Sequence, residues 1–182
     1  MSKIGIFFGE GYEEIEALTV VDLCRRAEIE VEMVSIADTD SVAGSHGILV
    51  KMDKKLSEAC FDSYDMIVLP GGMPGTKNLE ACEPLMEQVD RFYADGKWIA
   101  AICAAPSIFG HRGILKGRKA CCYPSFESHL EGASVSREAV EIDGNVITSR
   151  GMGTAIRFGL AIVSVFNGNQ AADILSKSII NQ

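Results

Sequence analysis

Residues 98–110 read "WIAAICAAPSIFG": a short apolar run, one cysteine, two alanines and a proline. The run 97–102 has the length and composition of a buried strand. Pro106 suits the first turn of a following helix, where its missing N–H costs nothing. A thiol at such a strand-to-helix junction follows the logic of the nucleophile elbow, in which a sharp turn holds the nucleophile in a strained backbone conformation. That turn crowds the residues two positions away, and here both are small, Ala101 and Ala105. Free amides and the positive dipole end of the helix stabilise a thiolate at this place. An ordinary thiol near 8.5 can fall to roughly 3.5–7.5 in such a setting.

Working outward, short apolar runs alternate with longer helical patterns, as in parallel βαβ units. Strands are predicted over 3–9 ("KIGIFFG"), 30–36, 65–72 ("DMIVLPGG"), 97–102 and 118–123 ("RKACCY"). Helices are predicted over 13–27, 83–96, 153–166 and about 170–180, with Pro84 and Gly96 placed as helix caps. The segment 47–53 reads as part of a peripheral hairpin, and Asp143-Gly144 marks a second one. With no repeat or linker along 182 residues, the reading is a single domain, 1–182.

A net charge of −8 leaves no basic surface for nucleic acid, and "KMDKK" is a short solvated run. No stretch reaches the roughly 20 apolar residues of a membrane span. The opening "MSKIGIFFGEG" reads as a first strand rather than a leader, so the expected location is cytoplasmic. Six cysteines, at 24, 60, 82, 103, 121 and 122, show no C-x-x-C spacing and no nearby histidine ligands. Reduced thiols and no metal are expected.

Three loops at predicted strand ends carry polar chemistry: "GEGYEEIE" (9–16), "PGGMPG" (70–75) and "CAAP" (103–106). The first has Glu14 where a dinucleotide fingerprint needs its third glycine. The second lacks the Gly-Lys-Ser/Thr ending of a phosphate loop. No nucleotide or other cofactor is expected. The cysteine loop carries the stronger signal.

Taken together, "GYEEIEA", "VLPGGMPG", "AAICAAP" and "TSRGMGTA" stand in the order and spacing of the ThiJ/PfpI superfamily, and the whole chain resembles it. The resemblance is closest to the branch of the parkinsonism-associated protein deglycase, the DJ-one-like proteins. It implies a flavodoxin-like three-layer α/β sandwich with a mainly parallel central sheet, usually as a homodimer. By position it puts the nucleophile on Cys103, a conserved acid on Glu16, and oxyanion-hole amides on Gly72 and Ala104. A protonated Glu16 could donate to the sulfur and move protons on a carbonyl substrate. The paired glycines Gly71 and Gly72 let a backbone amide approach a ligand. Tyr123, Arg150 and His46 are expected at the pocket.

The resemblance further implies cofactor-free action on small reactive carbonyls, or on glycated protein or nucleotide adducts, with an oxidation-sensitive cysteine. The alternative is a redox sensor or redox-responsive chaperone. Two departures matter. Tyr123 stands where human-type members carry a histidine twenty residues beyond the cysteine, and Ala104 stands where the peptidase branch has one directly after it. Without a base to orient a thiolate and protonate a leaving amine, a peptidase is disfavoured. Met152 replaces a proline common in relatives.

Overall fold

The computed structural model describes residues 2–181. β1 (Lys3–Phe8) leads into α1 (Glu14–Arg26) and β2 (Glu30–Ser35). β3 (Ser41–Ala43) and β4 (Leu49–Lys51) form the peripheral hairpin, and β5 (Lys54–Lys55) returns to the sheet edge. β6 (Met66–Leu69), α2 (Gly75–Glu80), α3 (Glu83–Ala94), β7 (Trp98–Ile102) and α4 (Pro106–His111) follow. After β8 (Lys119–Ala120) and β9 (Ser134–Val135) come the hairpin strands β10 (Val140–Asp143) and β11 (Val146–Ser149). Helices α5 (Ala155–Asn167) and α6 (Asn169–Ser178) complete the described chain.

The central sheet has seven strands in the order β10-β11-β7-β6-β1-β2-β5. Every pairing is parallel except β10 with β11. Period-2 alternation splits its side chains between two layers. Ile4, Ile6, Phe8 and Val68 pack with α1, α5 and α6, whereas Phe7, Ile67 and Leu69 pack with α3 and α4. Each large apolar side chain removed from water contributes about 1.5–3 kcal/mol, so both faces of the sheet are committed. The flavodoxin-like sandwich expected from sequence is the fold observed.

Two predicted elements change on inspection. The strand expected over 118–123 is only Lys119–Ala120, paired with β9 outside the main sheet. It stops because the Cys121 amide donates to the Thr148 side chain at 3.0 Å instead of to a neighbouring backbone carbonyl. Helix α2 has no counterpart among the predicted elements, since "GTKNLE" opens on glycine and has little helical periodicity. The 153–166 helix begins two residues later, after a 3₁₀ turn at Met152–Thr154.

The strand order sets where a site can form. From β1 the chain runs to β2 on one side, while β6 pairs with β1 on the other. Such a switch point leaves a crevice at the carboxyl ends of the strands. The loops after β1, β6 and β7 all open there.

Candidate active site

Cys103 follows β7 directly and has φ = +66°, a left-handed conformation unusual for a residue with a Cβ. Holding it costs on the order of 1–3 kcal/mol. The turn is fixed on both sides: the Cys103 amide donates to the Ser149 carbonyl at 3.0 Å, and its own carbonyl accepts from the Tyr123 amide at 2.8 Å. Ala101 and Ala105 are fully buried beside it, as the elbow requires. Helix α4 is a single short element starting at Pro106, so the amides that reach the sulfur are those of Ala104 and Gly72.

Glu16, in the first turn of α1, is buried with 1% exposure. Its Oε2 accepts from the Gly71 amide at 3.0 Å, and its carboxyl is hydrogen-bonded to the Cys103 thiol. The loops are tied to one another, since the Glu13 amide donates to the Gly71 carbonyl at 2.9 Å. Gly72 adopts φ = +90°. A Cβ on Gly71 would lie 2.5 Å from both Cys103 Cβ and Glu16 Oε2. Gly71→Ala therefore has to push thiol and carboxyl apart. We expect it to slow any reaction that uses both by about 10²-fold, the cost of misplacing reacting groups by an ångström. Alkylation kinetics of Cys103 check this directly.

Burial pushes Glu16 up to about 7. Burial and the charge of Glu16 push the Cys103 thiol up to about 12. This corrects the lowered thiol expected from a helix end alone, because burial together with the Glu16 charge outweighs two amide donors. The two groups are one titrating unit. Between about pH 7 and 12 the unit carries one charge and one proton, and thiolate with protonated Glu16 is one of its two forms.

A pocket of about 410 Å³ opens over this pair. Its walls include Glu13, His46, Met73, Tyr123, Phe126 and Met152, beside Glu16, Gly72, Cys103 and Ala104. The structure thus gathers seven of the eight residues singled out from sequence, Gly71 lying just behind the wall. Arg150 is not among the lining residues; its guanidinium extends to the Arg137 carbonyl at 3.5 Å. His46 sits at the rim with Nδ1 3.0 Å from Glu14 Oε2, an interaction that raises the imidazole and holds the Glu14 carboxylate down at about 2. No histidine is among the groups that act on the sulfur. His111 and His129 bond to each other at 2.9 Å, and neither lines the pocket.

Sequence reasoning missed four wall residues: Glu13, Met73, Phe126 and Met152. Glu13 had a usable signal, since residues three apart on a helix share a face and it precedes Glu16 by three. Glu14 is 3% exposed. Tyr123 is half exposed. We expect Tyr123→Phe to change kcat/KM by less than about fivefold, the value of one exposed hydrogen bond, measured against a small carbonyl substrate.

Comparison with known proteins places these features. Residues 2–165 match the family model described as the DJ-1/PfpI family. The chain is 38% identical over 180 residues to Protein DJ-1 homolog B of Arabidopsis thaliana, covering 98% of this chain and 41% of that protein. It thus spans less than half of that relative's length. It is 32% identical over 171 residues to the glutathione-independent glyoxalase DJR-1.2 of Caenorhabditis elegans, covering 93% of this chain and 91% of that one. Among solved structures, oxidized Toxoplasma gondii DJ-1 is similar with a TM-score of 0.94 and 34% identity, over 99% of this chain and 98% of that one.

Proposed function

This chain belongs to the DJ-1/PfpI family, and from that premise we propose that it is a cofactor-free, cysteine-dependent glyoxalase acting on reactive carbonyls such as methylglyoxal. On adducts of the same carbonyls with proteins or nucleotides, the chemistry would be deglycation. One observation carries the reading: the buried, hydrogen-bonded Cys103–Glu16 pair beneath a small pocket. The C. elegans relative named a glutathione-independent glyoxalase supports it.

In this reaction the Cys103 thiolate adds to the aldehyde carbon, and the former carbonyl oxygen takes a proton to give a hemithioacetal. The Glu16 carboxylate removes the proton from that carbon, electrons move onto the neighbouring carbonyl oxygen, and the hydroxyl proton of the first carbon passes to that oxygen, giving an enediolate. Glu16 then returns the proton to the second carbon, leaving a 2-hydroxyacyl thioester. Water cleaves the thioester, releasing the 2-hydroxy acid and the thiol. The Gly72 and Ala104 amides would stabilise the oxyanion at each stage. A group near 7 is well matched to taking and giving a proton at neutral pH. A pocket of about 410 Å³ admits a small carbonyl with room to spare.

A second reading, redox sensing, is favoured by the oxidized state of the Toxoplasma gondii relative. There the same thiolate would be oxidised by peroxide to a sulfenate. Lactate production from methylglyoxal under reducing conditions decides between them. Saturable turnover supports the enzyme; a folded, fully reduced protein with no turnover above buffer leaves oxidation of Cys103 as its chemistry.

We further place the protein in the cytoplasm as a homodimer. No described helix is long and apolar enough to cross a membrane. A groove of about 690 Å³ runs along α1, with Ile15, Leu18, Ile48, Ile156 and Ile179 in its walls. Ile15, Ile48, Leu49 and Ile180 are exposed. An apolar face of this kind suits an isologous two-fold contact. Sedimentation at about twice the 19.6 kDa chain mass is the expected result.

A further inference from the structure

The methionines of this chain fall into two sets. Met33, Met52, Met66 and Met86 are buried. Met73 and Met152 are 44% and 54% exposed, and among the described residues they are the only exposed methionines. Both line the Cys103 pocket. They come from different loops, one after β6 and one after β11, so their shared position is a property of the fold rather than of a local motif. Each is joined through its backbone to the reactive pair: Met73 follows Gly72, whose amide faces the sulfur, and the Met152 amide acts on Glu16.

We propose that Met73 and Met152 form a paired oxidation site, at which hydrogen peroxide produces sulfoxides that restrict access to Cys103. The thioether sulfur attacks one peroxide oxygen, the O–O bond breaks, and the departing hydroxide takes the proton from the oxygen now on sulfur and leaves as water. Sulfur is oxidised and peroxide reduced, with no other reactant. A flexible apolar side chain becomes a polar one carrying an extra oxygen. In a pocket of about 410 Å³ walled on two sides by these residues, that oxygen narrows the approach to the sulfur. The negative end of its dipole also opposes the thiolate. A methionine has no proton to lose, so the reaction proceeds at any pH, and sulfoxide reductases reverse it.

The test uses pH to separate the two sulfur chemistries. At pH 5 the pair holds both protons, and without thiolate Cys103 is spared. The full chain is treated there with hydrogen peroxide, mapped by peptide mass, returned to pH 8 and alkylated with iodoacetamide. Sulfoxide should appear at Met73 and Met152 at least about tenfold faster than at Met33, Met66 and Met86. Alkylation of Cys103 should then slow severalfold and recover after treatment with MsrA and MsrB together. A Met73→Leu/Met152→Leu protein, compared with its own untreated rate, should show no slowing. Equal oxidation of buried and exposed methionines overturns the proposal, as does an alkylation rate that oxidation leaves unchanged, including one that is zero in both. Because the readout is thiol access, it stands apart from the carbonyl reaction.

Discussion

Replacing Cys103 by Ser is expected to lower lactate formation from methylglyoxal by at least ~10³-fold, to the buffer rate. The substitution keeps the Cβ and a hydrogen-bonding atom, so the elbow and the Ser149 and Tyr123 backbone bonds persist. What disappears is the anion. Between about pH 7 and 12 the pair carries one charge, and the form with that charge on sulfur and the proton on Glu16 is the one that attacks. A serine hydroxyl does not ionise there, and the charge stays on Glu16. Near-ultraviolet circular dichroism matching that of the parent, together with residual turnover above one per cent, would sink the covalent mechanism. The same variant should resist alkylation at this position entirely, which ties the loss to the thiol rather than to the pocket.

The backbone at position 103 sharpens this expectation. A φ of +66° is paid for by the rest of the fold. Cys103→Gly should relieve that strain while abolishing reactivity, so a stability equal to or above the parent's is expected despite the lost side chain. Thermal unfolding of the two proteins reads this directly.

Much of this arrangement was legible in the chain. The elbow could be read because its requirements are local: an apolar run, small residues two positions either side of Cys103, and Pro106. The sheet could be read because buried parallel strands have their own composition, and the Asp143-Gly144 hairpin because its turn chemistry is specific. The pocket walls could not. Glu13, Met73, Phe126 and Met152 come from four separate segments, and only the strand order brings them together. Arg150 illustrates the converse. Its place in a matching motif suggested the pocket, yet the direction of its side chain is decided by the neighbouring Arg137 carbonyl. Glu14 and Glu16 lie in one acidic turn and shift in opposite directions, because His46 and backbone amides hold Glu14 down while burial pushes Glu16 up.

Glu16→Gln should move activity and stability in opposite directions. Activity is expected to fall by about 10³-fold, within the range for losing a general acid–base group, since an amide cannot accept and return the substrate proton. Stability should rise. A carboxyl whose value is lifted from 4.5 to about 7 by folding contributes fully only below pH 4.5, and that contribution is lost as pH rises through 7. Above this range the folded protein bears a buried charge that the variant lacks. At 1.36 kcal/mol per unit, the gain is about 3 kcal/mol at pH 8 and close to zero at pH 4.5. The corresponding rise in Tm is roughly 6–12 °C at pH 8. The thiol provides a third readout. In the parent, Cys103 alkylation should keep rising with pH toward about 12, where the buried thiol loses its proton. In the variant the charge and the carboxylate hydrogen bond that raise the thiol are gone, so the midpoint should move downward from about 12. An unchanged midpoint would show that the Glu16 charge does not act on the thiol. An unchanged Tm difference between pH 4.5 and 8 would show that its charge is not buried at neutral pH. If all three readouts move together, the carboxyl is held against its own stability because the reaction needs a proton in that place.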